Sequence, residues 1–82
     1  MRLDKYLKVS RIIKRRTVAN EACDAGRVLV NGKAARASYD VKIGDVLDLQ
    51  LGARQIKARI LSVNEYAKKE DAGEMYEIIA EN

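Results

Sequence analysis

The dipeptide Asn31-Gly32 constrains this chain more than any other feature. It separates Val28-Leu29-Val30 from Lys33-Ala34-Ala35. Asn-Gly between apolar residues is the strongest short hairpin signal, because a type I′ turn needs both central residues at positive φ. Just upstream, Gly26 closes an Ala-rich segment and reads as a helix C-cap. The chain is thus expected to pass directly from a helix into a β-hairpin.

The segment before Gly26 holds two helices. Over residues 2–9, at about 100° per residue, Leu3, Tyr6 and Leu7 share one face and Lys5 and Lys8 point the other way. Asp4 falls in the first turn, placed to pair with Lys8. Ser10 breaks the pattern, and Ile12 and Ile13 fill the corner. A second helix runs from about Arg15 to Ala25, with Val18, Ala19, Ala22 and Cys23 inward and Arg16, Asn20 and Asp24 on the other side. Arg15 marks its first turn, where its head reaches solvent.

Strand signals follow the hairpin. Val41, Ile43 and a Gly44-Asp45 turn lead into residues 46–51, and Gly52 turns the chain again. Residues 55–61 alternate, with Ile56, Ala58 and Ile60 inward and Lys57 and Arg59 outward. Residues 64–73 have no clean period and read as a polar loop, and Met75 to Ile79 form a last strand. Two packed helices followed by a small twisted, mostly antiparallel sheet make an α+β domain, a single one for 82 residues.

Charge is distributed unevenly over this frame. The first 36 residues carry ten bases against three acids, a net of +7, and the remainder carries six bases against nine acids, a net of −3. A one-sided positive field on a small domain points to a polyanion, nucleic acid first. Histidine is absent and Cys23 stands alone, which removes CxxC redox chemistry, internal disulfides and ordinary zinc sites. Cys23 reads as a small core residue. The acids Asp45, Asp48 and Glu65 are scattered with no His or Ser constellation beside them, so no catalytic residue, metal or cofactor is expected. There is no long apolar run for a membrane span and no apolar leader, so the expected location is the cytoplasm.

The two helices are expected to present a joint basic surface. Arg2, Lys5 and Lys8 come from the first helix, and Arg11, Lys14, Arg15 and Arg16 from the corner and the opening of the second. Backbone N–H groups at that opening favour phosphate, and arginine grips phosphate with two parallel hydrogen bonds. Thr17 and Asn20 share the rim, with reach to sugar or base edges or to local backbone. Lys33 and Arg36 extend the patch beyond the hairpin. Tyr6 reads as core, and Tyr39 as a candidate to stack on a base or ribose. The scarcity of aromatics favours folded RNA, bound through phosphates and shape, over splayed single strands.

Residues 2–35, RLDKYLKVSRIIKRRTVANEACDAGRVLVNGKAA, resemble an S4 RNA-binding domain. The marks are Arg2-Leu3-Asp4-Lys5 opening the first helix, the basic corner before Thr17, and the close Gly26-Arg27-Val28-Leu29-Val30-Asn31-Gly32-Lys33. Val41-Lys42-Ile43-Gly44-Asp45 resembles the return strand of the family. The resemblance implies the αL-type S4 fold, with a core over about 2–51 and additional strands over 52–82 inside one domain, 1–82. It implies RNA contacts at Arg2, Lys5, Lys8, Arg11, Lys14, Arg15, Arg16, Thr17, Asn20 and Lys33. Many S4 domains place Ser where this chain has Arg15, which removes a side-chain cap and adds charge.

Chains with so little beyond the S4 segment resemble the small stand-alone members, the group of heat shock protein 15 and its shorter Gram-positive relatives. That likeness implies a non-enzymatic, ribosome-associated protein whose partners are 23S rRNA and the tRNA of a peptidyl-tRNA on the large ribosomal subunit, in quality control of stalled nascent chains; a monomer is expected. A quality-control protein is a further implied partner, and no membrane is. Three alternatives stay open: a ribosome assembly factor, an RNA-affinity subunit of an enzyme, and a protein-binding adaptor.

Overall fold

Helix α1 spans Leu3–Val9 and buries Leu3, Tyr6 and Leu7 completely on one face. A seven-residue helix is too short to persist alone, so this burial holds it, at about 2 kcal/mol for each large apolar side chain. Helix α2, Arg16–Asp24, packs across it through Ala19, Ala22 and Cys23, whose small size lets the two backbones approach closely. The computed structural model describes residues 1–81.

Glycine ends α2 as the sequence leads one to expect. Gly26 adopts φ 77°; its N–H donates to the Cys23 carbonyl at 3.0 Å, and the Arg27 N–H donates to the Ala22 carbonyl at 3.0 Å. These two bonds form a Schellman motif, which turns the chain into the sheet. Asn31 and Gly32 take φ 52° and 86° and join β1, Val28–Val30, to β2, Lys33–Ala34.

Strands β3, Val46–Leu51, and β4, Arg54–Ile60, pair over six residue pairs, and β5, Tyr76–Glu81, follows. The sheet order is β2-β1-β3-β4-β5, and every pairing is antiparallel. The core between helices and sheet joins Leu3, Tyr6 and Leu7 to Val28, Leu47, Leu49, Ile60 and Met75. Ile13 is buried at the helix corner and Ile12 packs beside it. In β4 the predicted alternation holds: Ile56, Ala58 and Ile60 are buried while Lys57 and Arg59 are exposed.

Four expectations need correction. Val18 is 46 % exposed, because at 100° per residue it lies at the margin of the stripe centred on Ala19, Ala22 and Cys23. Asp4 is not paired with Lys8: its carboxylate turns inward, toward α2. Residues 41–45 are not a return strand. The Lys42 carbonyl accepts the Asp45 N–H at 3.1 Å while the Lys42 N–H donates to the Asp45 carboxylate at 3.0 Å, closing a tight turn at Gly44. The polar 64–73 segment contains a 3-10 helix, Lys69–Glu74, which buries Ala72 and leads into the buried Met75; the last strand starts one residue later than expected.

Candidate nucleic-acid interface

The basic surface is organised around a buried acid. The Asp4 carboxylate, 2 % exposed, accepts five hydrogen bonds. Arg2 gives two, from Nε at 3.1 Å and Nη2 at 3.3 Å; Arg16 gives one from Nη2 at 3.4 Å; Asn20 gives one from Nδ2 at 3.1 Å; and the Lys5 backbone N–H gives one at 2.8 Å. Burial alone would raise the Asp4 pKa, but the hydrogen bonds from Asn20, Arg2, Arg16 and Lys5 outweigh it and hold the group below its ordinary 3.8. Arg2 and Arg16 keep 50 % and 47 % of their side-chain surface in solvent, so each guanidinium is anchored on one edge and free on the other.

The start of α2 adds a second element. Arg15 is its N-cap residue in extended conformation, makes no side-chain cap, and no acid occupies the first turn. The opening N–H groups of Arg16, Thr17 and Val18 therefore lack a carboxylate or hydroxyl from the chain itself. Arg15 and Thr17 are exposed there, as are Arg11 and Lys14 in the preceding corner and Lys8 on the last turn of α1. None of Lys8, Arg11, Lys14 and Arg15 has an acidic partner among the described residues.

Two of the predicted positions stand differently. Lys5 is half-buried and lies 3.8 Å from Glu65, which draws its charge toward the 64–73 segment. Lys33 stands on β2 and makes no bond to the Asp4 cluster; it lines an open cleft of about 660 Å³ with Asn31, Arg36, Ser38 and Tyr39. Tyr39 is held in place at its hydroxyl. Its hydroxyl donates to Asp45 at 2.9 Å, which raises its pKa, and the Lys42 ammonium lies 5.6 Å from the ring centre.

Two residues that organise this face escaped the reading of the sequence as organisers. Asp4 is one of only three acids in the +7 segment and falls two residues after Arg2, a signal that was present but admitted a helix-dipole explanation. Asp45 accepts from Asn31 Nδ2 at 3.0 Å as well as from Tyr39, so it fastens the hairpin turn to the 39–45 loop. Cys23 is inert as expected: burial pushes its thiol up to about 11.

The sequence model of the S4 domain matches residues 1–47. The chain belongs to the S4 domain family. Two relatives match along nearly the whole chain. The RQC P-site tRNA stabilizing factor of Streptococcus pneumoniae is 54 % identical over 81 residues, covering 99 % of this chain and 92 % of that protein. The protein of the same name from Bacillus subtilis is 49 % identical over 81 residues, covering 99 % and 94 %. The S4 fold recurs in the trimeric structure of Vibrio cholerae heat shock protein 15, which superposes with a TM-score of 0.90 at 30 % identity and covers 98 % of this chain and 82 % of that one. Among the described residues, no helix is long and apolar enough to cross a membrane, and no cluster of His, Cys, Asp or Glu could hold a metal ion.

Proposed function

We propose that this S4 protein is a non-enzymatic RNA-binding factor of ribosome quality control. It docks its helical face on 23S rRNA and on the tRNA of a stalled peptidyl-tRNA at the large ribosomal subunit. The observation that carries the reading is the helix corner itself. Lys8, Arg11, Lys14 and Arg15 are exposed and unpaired among the described residues, beside the uncapped start of α2 and the outward edges of Arg2 and Arg16. That set suits phosphates displayed by a rigid, folded RNA. The near full-length likeness to tRNA stabilizing factors supports the choice of RNA and of process.

The mechanism is positioning. Charge neutralisation brings the protein to RNA, the fixed corner selects a shape, and the bound protein favours one tRNA position over others. RNA contacts are assigned to Arg2, Lys8, Arg11, Lys14, Arg15, Arg16, Thr17 and Asn20 as one surface, with Lys5 contributing less because of Glu65. Lys33 belongs to a separate contact at the hairpin. The C-terminal half, residues 37–82 with a net charge of −3, is left for a protein partner. One copy acts per site, and light scattering of the free protein discriminates this from the trimer seen for the V. cholerae protein.

Crosslinking the protein to RNA in cells and mapping the sites tests the reading. Sites in 23S rRNA together with tRNA on assembled large subunits are expected. Sites confined to precursor rRNA would instead make the protein an assembly factor.

A further inference from the structure

An acid at the centre of an RNA-binding face is electrostatically unfavourable: Asp4 repels the phosphates that the surrounding bases attract. It is also costly to bury. A carboxylate inside a protein loses its hydration, and well-packed apolar groups often join helices at least as stably as buried ion pairs do. A mere α1–α2 joint therefore needs no acid at this point. The geometry points to Asp4 as a positioning residue for RNA binding: its buried carboxylate holds Arg2, Arg16 and Asn20 in one fixed array whose outer edges grip phosphate. This inference rests on the RNA-binding reading above.

The array is built as a clamp. Arg2 comes from the N-cap of α1, whereas Arg16 and Asn20, four residues apart, share one face of α2, so it is the Asp4 carboxylate that joins the Arg2 side chain to the other two. Both guanidiniums lie within 3.4 Å of the same carboxylate oxygen, Oδ1. Without the negative charge between them they would repel one another and spread into solvent. A guanidinium carries five N–H groups; Arg2 spends Nε and part of Nη2 on Asp4, and Arg16 spends part of Nη2. The remaining donors face solvent with their planes already set. A free arginine loses rotamer entropy when it is fixed, and a pre-set one has lost it before RNA arrives.

The test is affinity for purified large ribosomal subunits carrying tRNA, measured for wild type, Asp4→Asn, Arg16→Ala and the double variant, with folding of each checked by circular dichroism. Asp4→Asn removes a negative charge, so a simple field model has it bind more tightly. The clamp has it bind roughly ten-fold more weakly. Glu21→Gln, which removes the same charge from the exposed side of α2, should bind as wild type or slightly better. In the Asp4→Asn background, Arg16→Ala should cost much less than it does alone, because its anchored geometry is already lost. Exchange of the Arg2 Nε–H proton, which donates to Asp4, followed by NMR in the free protein, should be slow in wild type and fast in Asp4→Asn.

Asp4→Glu covers the case in which the Asn variant melts: it keeps the charge but displaces the carboxylate by one methylene, and it too should bind more weakly. Folded Asp4→Asn or Asp4→Glu protein that binds as tightly as wild type overturns the clamp, as do losses that simply add in the double variant. A wild type that binds no ribosomal RNA sinks the RNA reading itself, whereas binding that is indifferent to Asp4 sinks only this inference.

Discussion

The Tyr6 hydroxyl donates a 2.8 Å hydrogen bond to the Met75 carbonyl, 69 residues further along the chain. Both residues are fully or almost fully buried, so the bond ties the first helix to the entrance of the last strand in the middle of the core. The segment matched by the S4 model, residues 1–47, is therefore closed over by residues that lie outside it. Burial also raises the Tyr6 pKa, keeping the hydroxyl protonated and a donor at any physiological pH.

Tyr6→Phe should cost about 1 kcal/mol of folding stability, since it removes this one bond while the ring stays in place and the Met75 carbonyl keeps the backbone N–H groups of Leu61 and Ser62. Urea unfolding measures this as a lower midpoint at unchanged slope. RNA affinity should not change, because the ring faces away from the basic corner. A variant as stable as wild type would show that the Leu61 and Ser62 N–H groups satisfy the Met75 carbonyl without the hydroxyl.

Arg11 adopts φ 63°, in the left-handed region that the chain reserves for glycine at the end of α2. Its N–H closes α1 by donating to the Lys8 carbonyl at 3.1 Å, the same task that Gly26 performs for the second helix. An arginine there costs about 1 kcal/mol of backbone strain. Arg11→Gly should thus be neutral or stabilise the fold by up to about 1 kcal/mol, while weakening RNA binding several-fold through loss of one cation. Thermal melts and ribosome binding read the two effects separately. Binding that survives the glycine would remove Arg11 from the interface.

Phosphate contacts should appear in the salt dependence. The logarithm of affinity should fall with the logarithm of salt at a slope of roughly −0.7 to −0.9 per phosphate neutralised. Arg15→Ala removes an exposed, unpaired cation at the start of α2 and should reduce the slope by about one contact. Arg16→Ala should also flatten it, and lose more affinity, because it opens the Asp4 cluster as well. A slope that stays flat in wild type and both variants would favour a protein-binding adaptor.

The elements most easily read from the sequence are those set by local chemistry. Asn31-Gly32 and Gly26 demanded their turns through φ alone, and the alternation of Ile56, Ala58 and Ile60 set the face of β4. What stayed hidden depends on contacts between distant residues. Helical spacing offered Lys8 to Asp4, but the structure brings Arg16 and Asn20, 12 and 16 residues away, and these prevail. The 64–73 segment carries no period because only Ala72 among its residues is buried, and the contact of Glu65 with Lys5 is set by the fold. The candidate site was legible as charge. Its organisation around Asp4 was not, because it follows from how α1 and α2 pack.

Acid should undo the Asp4 cluster in a defined direction. The folded-state pKa of Asp4 lies below its ordinary 3.8, so above that value the unfolded and folded chains are both ionised and the full contribution to stability is present. As pH falls below about 4, the unfolded chain takes up a proton that the folded chain still refuses, and the contribution declines until the folded carboxyl is protonated too. Asp40 is also depressed, by the Met1 amine that bonds it at 2.7 Å, so the acid limb of wild type alone mixes two groups. Comparison with Asp4→Asn separates them, because Asp40 remains in both proteins and cancels. The gap in urea midpoint between wild type and Asp4→Asn should be widest near pH 7 and should shrink at pH 3. A gap that stays constant across that range would mean the Asp4 carboxylate draws no stability from its charge, and that the array around it is held by packing alone.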